Sequence, residues 1–471
     1  MSPWTVIALI AAYFALMMLL SRLSSRGTHD FFGKKKTPWP LVAIAMLGGV
    51  MSGVTFVSVP GMVDVSGMGY LQLMLGCAAG YVLIAFVLIP LYYRLQVVSI
   101  YEYLDRRFGV ASHRTGAWFF FISKMLGAAV RMFLLCLSLQ MLLFGPLGLP
   151  FSLNVLLSVA VIFAYTFRGG VRAVIWIDIL KTICMVVAVV LTLVFIGKSL
   201  GLSLPALTDT LRQSEMSRVF FFDDIDHPQY FWKQFLGGLF AVLGMTGLDQ
   251  DMMQHALNCT DFRSSQKNLL VSIVLQLAVV ALFLCLGVAL YLYAASAGIS
   301  ERGDLLFPAV ATSAHLPAIV GILFVLGLVS TSYGAGGSAL TALTTSFTVD
   351  ILRAPENDRT RRRVHMAMAA GMVLTILIFN ALNSTSAIDA VYRIASYTYG
   401  PLLGMFAFGI ACKRMVRDGL VPLVAIVAPL LCLLLQLNAG SWFGGYTFSY
   451  EILPINAMLT CFGLFCISRR S

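Results

Sequence analysis

Arg131, Asp178 and Arg393 are ionisable side chains set in stretches that are otherwise apolar. An arginine at the centre of a membrane helix costs about 2.5–3.5 kcal/mol on insertion scales, so each such group needs a cavity or a partner. Arg131 stands in Lys124-Met-Leu-Gly-Ala-Ala-Val-Arg131-Met-Phe. Its guanidinium is a planar fork that matches a carboxylate. It is therefore either a clamp for an anionic solute or half of a structural ion pair with Asp178 or Asp249. Asp178 ends the run Arg168-Gly-Gly-Val-Arg-Ala-Val-Ile-Trp-Ile-Asp178, and an intramembrane carboxylate is a cation or proton site by default. Arg393, in Ile388-Asp-Ala-Val-Tyr-Arg393, faces a cavity or snorkels to the outer surface. A fourth feature is the run Gly327-Leu-Val-Ser-Thr-Ser-Tyr-Gly-Ala-Gly-Gly-Ser338. Its hydroxyls could ligate a hard cation or simply bond to their own helix.

The elements that must hold these groups are membrane helices. About thirteen apolar stretches fall at 4–21, 41–60, 70–92, 116–143, 151–167, 174–197, 231–253, 268–298, 315–349, 364–382, 387–411, 421–437 and 452–467. Each approaches the ~20 residues that cross roughly 30 Å of hydrocarbon. With 59% of 471 residues hydrophobic and 11% charged, a soluble multidomain protein is excluded. The first run, Trp4 to Leu20, follows no basic segment and reads as a retained span, not a cleaved signal.

The net charge of +11 does not indicate nucleic acid, because Lys and Arg sit in alternate short loops. They appear at Arg22, Arg26 and Lys34 to Lys36, at Arg94, Arg106, Arg107 and Arg114, and at Arg168/Arg172. They return at Arg263/Lys267, at Arg353 through Arg363, at Lys413, Arg414 and Arg417, and at Arg469/Arg470. The intervening loops are neutral or acidic, as in Leu200–Gln229 with Asp223, Asp224 and Asp226. This bias puts the N-terminus outside and the C-terminus in the cytoplasm of a multi-pass membrane protein.

Nine scattered cysteines form no CxxC pair and no His/Cys cluster, so a disulfide framework or zinc site is not expected. The six histidines (His29, His113, His227, His255, His315, His365) lie in loops or near span ends, with no HExxH or GxSxG. An enzyme has no nucleophile–base constellation here to build on.

Glycines interrupt two spans in matching places. The second span contains Gly48, Gly49, Gly53 and Pro60-Gly61; the seventh contains Gly237, Gly238, Gly244 and Gly247. An offset of five spans is odd, so a second five-helix unit would cross the membrane in the opposite sense. Such inverted repeats, each led by a broken helix, mark a midplane binding site in secondary transporters. Unwound backbone there offers carbonyls to a cation and helix ends to an anion. Taken singly, each set of glycines could equally serve close helix packing; the matched spacing is what favours a site.

At these residues the chain resembles the sodium:solute symporter family over nearly its whole length. The similar stretches are Ser99-Ile-Tyr-Glu-Tyr-Leu, Arg168 to Asp178, and Gly247-Leu-Asp-Gln-Asp-Met-Met-Gln254. Ser346-Phe-Thr-Val-Asp-Ile351 and Tyr397-Thr-Tyr-Gly-Pro-Leu-Leu-Gly404 complete the set. The resemblance implies an all-α integral membrane protein with a LeuT-type five-plus-five inverted repeat and alternating access to one central site. It divides a single transporter domain into an extra N-terminal helix (4–21), a first repeat (41–197), a second repeat (231–411) and two C-terminal helices (421–467).

It further implies Na+ as the coupling ion, no covalently bound cofactor, a small polar solute as cargo, and a monomer working in the lipid bilayer. One sodium site would take carbonyls of Gly48 and Met51 and hydroxyls at 331, 334 and 335; only Thr331 supplies one, the others being Gly334 and Ala335. Ser330 or Ser332 could compensate if the helix were shifted. Asp178, with Ser338 beside it, matches the carboxylate of a second sodium site. Ser52, Thr55, Gln72, Asp249 and Gln250 would face the solute. Arg131 resembles the carboxylate-binding arginine of bacterial sialic acid symporters, which suggests an organic anion or sugar acid. The missing hydroxyls leave open a proton-coupled or uncoupled carrier on the same scaffold, or a transporter-like sensor.

Overall fold

The computed structural model describes residues 3–25, 39–95, 100–166, 171–249, 252–253, 256, 259, 261–313, 316–352, 358–382 and 387–469, with the side chains of 16–25, 95, 171–180 and 358 excepted. Helices dominate. α1 (Pro3–Ser25) precedes α2 (Trp39–Val50) and α3 (Gly53–Gly61). α4 (Tyr70–Arg94), α5 (Val110–Phe144), α6 (Phe151–Thr166) and α7 (Val171–Ser199) follow. Then come α8 (Phe231–Val242), α9 (Phe262–Ala297), α10 (Ala318–Ile351), α11 (Asp358–Ala381) and α12 (Ala387–Ala411). α13 (Val421–Trp442) and α14 (Ile452–Cys466) close the chain. β1 (Met415–Val416) pairs antiparallel with β2 (Ser468–Arg469), tying the two ends of this last hairpin together.

Eight helices among the described residues are long and apolar enough to cross a membrane, and α2 with α3 makes a ninth if that bent pair counts as one span. Other expected spans fall on shorter helices, including Phe151–Thr166 and Ile452–Cys466.

Two boundaries differ from the sequence reading for a physical reason. The fourth expected span begins at 116, whereas α5 starts at Val110. Its first amides are capped from a distance: the Asp418 carboxylate accepts from Ala111 N and Ser112 N at 2.8 Å and from the Ser112 hydroxyl at 2.6 Å. A cap from another part of the chain satisfies orphan donors as well as a local one does, and leaves no local signature. The seventh expected span runs to 253, but α8 passes into a wide π-type turn at Leu243–Gly247 and leaves helical geometry at Leu248 (φ −111°, ψ 12°).

Close helix contact rests on glycine. α4 and α8 approach until main chain meets main chain. A Cβ on Gly76 would lie 1.9 Å from Phe235 O, and one on Gly238 would lie 2.0 Å from Leu73 O. Small residues allow such approach where hydrophobic collapse supplies little drive. Around α3, Phe56 stacks on Phe324 (5.6 Å between ring centroids) and lies 5.2 Å from Phe307, binding the second half of the broken pair to α10.

Because neither backbone can yield cheaply, Gly238→Ala should destabilise the fold by about 1–3 kcal/mol, the usual penalty of overpacking. Gly440→Ala, whose new methyl would meet nothing within 4 Å, should be neutral. Thermal unfolding of the two purified variants in one detergent checks this; equal Tm values would refute the main-chain contact.

Candidate functional site

The broken segments set the site. In the first, Met51 N still donates to Leu47 O (2.9 Å), and the ladder resumes with Phe56 N to Ser52 O (3.1 Å). Ser52 between them is extended (φ −115°, ψ 177°), and the two halves meet at 61°. Among the described residues no main-chain bond joins a carbonyl of 48–51 to an amide of 52–55. Gly53 permits the bend to press on α10, since a Cβ there would lie 2.1 Å from Ser332 Oγ.

In the second break the freed carbonyls are taken by tyrosines. Tyr92 donates to Gly247 O and Tyr101 to Leu248 O, both at 2.8 Å. Beyond it, Asp249 Oδ1 accepts from Met252 N at 3.2 Å and starts the next helical turn.

Between the breaks lies a cavity of about 120 Å³. Met51, Ser52 and Thr55 reach it from the first break, Thr246 and Asp249 from the second. α5 contributes Lys124 and Arg131, α4 contributes Tyr70 and Tyr81, α9 contributes Gln276, and α12 contributes Tyr392. Gln276 Nε2 donates to Tyr81 Oη at 3.0 Å, and the Tyr70 and Tyr392 hydroxyls meet at 3.0 Å across the space.

The charges divide sharply. Lys124 Nζ lies 2.9 Å and 3.2 Å from the two Asp249 carboxylate oxygens, with both side chains buried. The Tyr399 hydroxyl donates to the same carboxylate at 3.3 Å. Asp249 is thus neutralised by Lys124, and Arg131 is not its partner. Arg131 follows Lys124 by seven residues, about two turns along the same helix face. It is half-buried in the cavity wall and, among the described residues, makes no hydrogen bond and no ion pair. Among the described residues, the cavity therefore carries one uncompensated positive charge, presented as a carboxylate-shaped fork.

Ser52, Thr55, Arg131 and Asp249 converge on this space as the sequence suggests. Gln72 does not. Its Oε1 accepts from Phe221 N at 3.0 Å and its Nε2 donates to Gln229 O at 2.9 Å, so it pins the 200–229 loop. Gln250 and the Asp178 side chain lie outside the described residues. Arg393 is exposed on α12, one position past cavity-lining Tyr392. The sequence reading did not single out Lys124; its seven-residue spacing from Arg131 is the signal that could have found it. The cavity tyrosines have no such signal.

The sodium positions fit in part. Gly48 and Met51 stand at the first break with their carbonyls outside the ladder. Ser330 Oγ donates to Gly327 O (3.0 Å), and Thr331 Oγ1 to Gly327 O (2.7 Å) and Leu328 O (3.1 Å). These bonds leave oxygen lone pairs for a cation. Buried Ser332 Oγ has no partner among the described residues, and Ser338 is half-buried one turn past Gly334. Gly334 itself faces the side chain of Lys181.

Two interrupted helices around a polar cavity inside a helical membrane bundle are the arrangement in which secondary transporters build their binding sites. The family model of the sodium:solute symporter family matches residues 31–423, and the chain belongs to that family. Among solved structures, a Na+-coupled sialic acid symporter in a substrate-bound outward-open state superposes with a TM-score of 0.80 at 19% identity, over 99% of each chain. The sodium/sialic acid symporter NanT of Aliivibrio fischeri is 23% identical, over 90% of this chain and 86% of that one. The human sodium/iodide cotransporter is 24% identical over 86% of this chain, which spans 64% of that protein's length.

The ion pair generates a prediction. Lys124→Met leaves a buried carboxylate unpaired, a loss of about 3–5 kcal/mol, whereas Lys124→Met with Asp249→Asn removes both charges. Thermal unfolding should show the single variant well below the double. A double variant no more stable than the single would mean the pair is not coupled.

Proposed function

We propose that the chain imports a compact organic monoanion by sodium-coupled alternating access, with Arg131 as the anion clamp. The observation that carries this reading is the unbonded guanidinium in the cavity, beside an Asp249 already neutralised by Lys124. A solute bearing one carboxylate completes the charge balance; a cation would be repelled. Ser52 and Thr55 offer hydroxyls for the rest of the solute. Relatives named for sialic acid and for iodide both handle anions.

The reading includes thirteen spans, with 41–197 and 231–411 as oppositely oriented repeats, an external N-terminus and a cytoplasmic C-terminus in a bacterial plasma membrane, functioning as a monomer. One sodium moving down ~100 mV supplies about 2.3 kcal/mol, and a tenfold gradient adds about 1.4 kcal/mol. That sum sustains accumulation of several-hundredfold.

The test is uptake of radiolabelled small carboxylates, sugar acids and matched neutral analogues into proteoliposomes, with and without an inward sodium gradient. Carboxylates should enter only with the gradient. Arg131→Gln should raise the half-saturating concentration roughly ten- to a hundredfold, the worth of charge-assisted hydrogen bonds at about 1.5–3 kcal/mol. Preference for a neutral solute, or an Arg131→Gln protein with unchanged half-saturation, would reject the anion clamp.

A further inference from the structure

Lys181 is a buried cation that the anion site does not use. It lies on α7, which packs against both α2 and α10, and it is 1% exposed. Its side chain runs to Gly334: a Cβ built there would lie 3.5 Å from Lys181 Cδ and 3.7 Å from Nζ. The ammonium therefore lies in contact with position 334, and a serine hydroxyl there would stand beside it. Gly334 follows Ser330 and Thr331 by about one turn, so the three share one side of α10. The ammonium is thus held on the side of α10 that carries the Ser330 and Thr331 hydroxyls, by a helix that also packs on α2, whose last carbonyls stand outside the helical ladder. Oxygen-rich, water-poor surroundings of this kind favour a monovalent cation, and the chain carries one within it.

We propose that the Lys181 ammonium, beside Gly334, is a tethered cation that takes the place of an exchangeable sodium ion at the α2/α7/α10 junction. The charge stays with the protein throughout the cycle and is never released to either side. The sodium that couples uptake then binds elsewhere, and each solute is accompanied by one sodium fewer than the junction would otherwise add. This deepens the sodium-coupled reading, on which it rests only for the location of the coupling ion.

Direct binding separates the two ideas, because it requires no transport. Purified full-length protein is titrated with ²²Na+ alone, and Tm is followed in sodium, methylammonium or choline chloride at equal ionic strength. The proposal expects Lys181→Ala with Gly334→Ser to bind one more sodium per chain than the parent. It also expects the Tm of Lys181→Ala to rise by several degrees with sodium or methylammonium relative to choline, by more than the parent's own response. An unchanged sodium count in the double variant, or a cation response in Lys181→Ala no larger than the parent's, would overturn it. Should the alanine variants not fold, Lys181→Met keeps the stem and removes the charge. A sodium count above the parent's supports the replacement, and a count at or below the parent's overturns it. Absence of sodium-driven uptake in proteoliposomes would reject the coupling reading and leave these binding counts intact.

Discussion

A membrane offers no water to a peptide group, so every interruption of a helix within it must be answered by some other donor or acceptor. The two breaks here answer it differently, and that difference organises the centre of the protein. At the second break the released carbonyls of Gly247 and Leu248 are held by the hydroxyls of Tyr92 and Tyr101, and the next turn is started by the Asp249 side chain. At the first break the carbonyls of 48–51 have no main-chain amide opposite them among the described residues. One interruption is closed by protein groups and rigid; the other is open toward whatever positive group approaches.

Asp249 shows how one residue serves both structure and electrostatics. Its carboxylate caps a turn, receives the Tyr399 hydroxyl and pairs with Lys124. With every lone pair engaged it has little left for a solute, which makes it a positioning residue. Its larger effect is indirect: by occupying Lys124 it leaves Arg131 as the cavity's unanswered charge. Two cations seven residues apart on one helix face would otherwise repel each other and select a dianion.

Much of this was legible in the amino-acid order because hydrocarbon is a strict solvent. Apolar runs of near-spanning length, glycine-rich interruptions five spans apart, and the cost of Arg131 are local patterns with few alternatives. What escaped was set by groups distant in sequence. Gln72 reads as a cavity residue from its span, yet the 200–229 loop folds over and claims both ends of its amide. The start of α5 is moved outward by Asp418, some three hundred positions later. Lys181 is unremarkable as a letter in an apolar run, and gains meaning only when Gly334 on another helix is found beside it.

The glycine contact between α4 and α8 carries a mechanical consequence. Backbones that interlock at Gly76 and Gly238 cannot slide past one another without a collision at every residue step, so the two helices travel as a single plate. Any rearrangement that opens the cavity must therefore pivot around this plate, and flexible side chains such as Met74, Met245 and Met252 on the cavity wall have thioethers that can repack as the walls part.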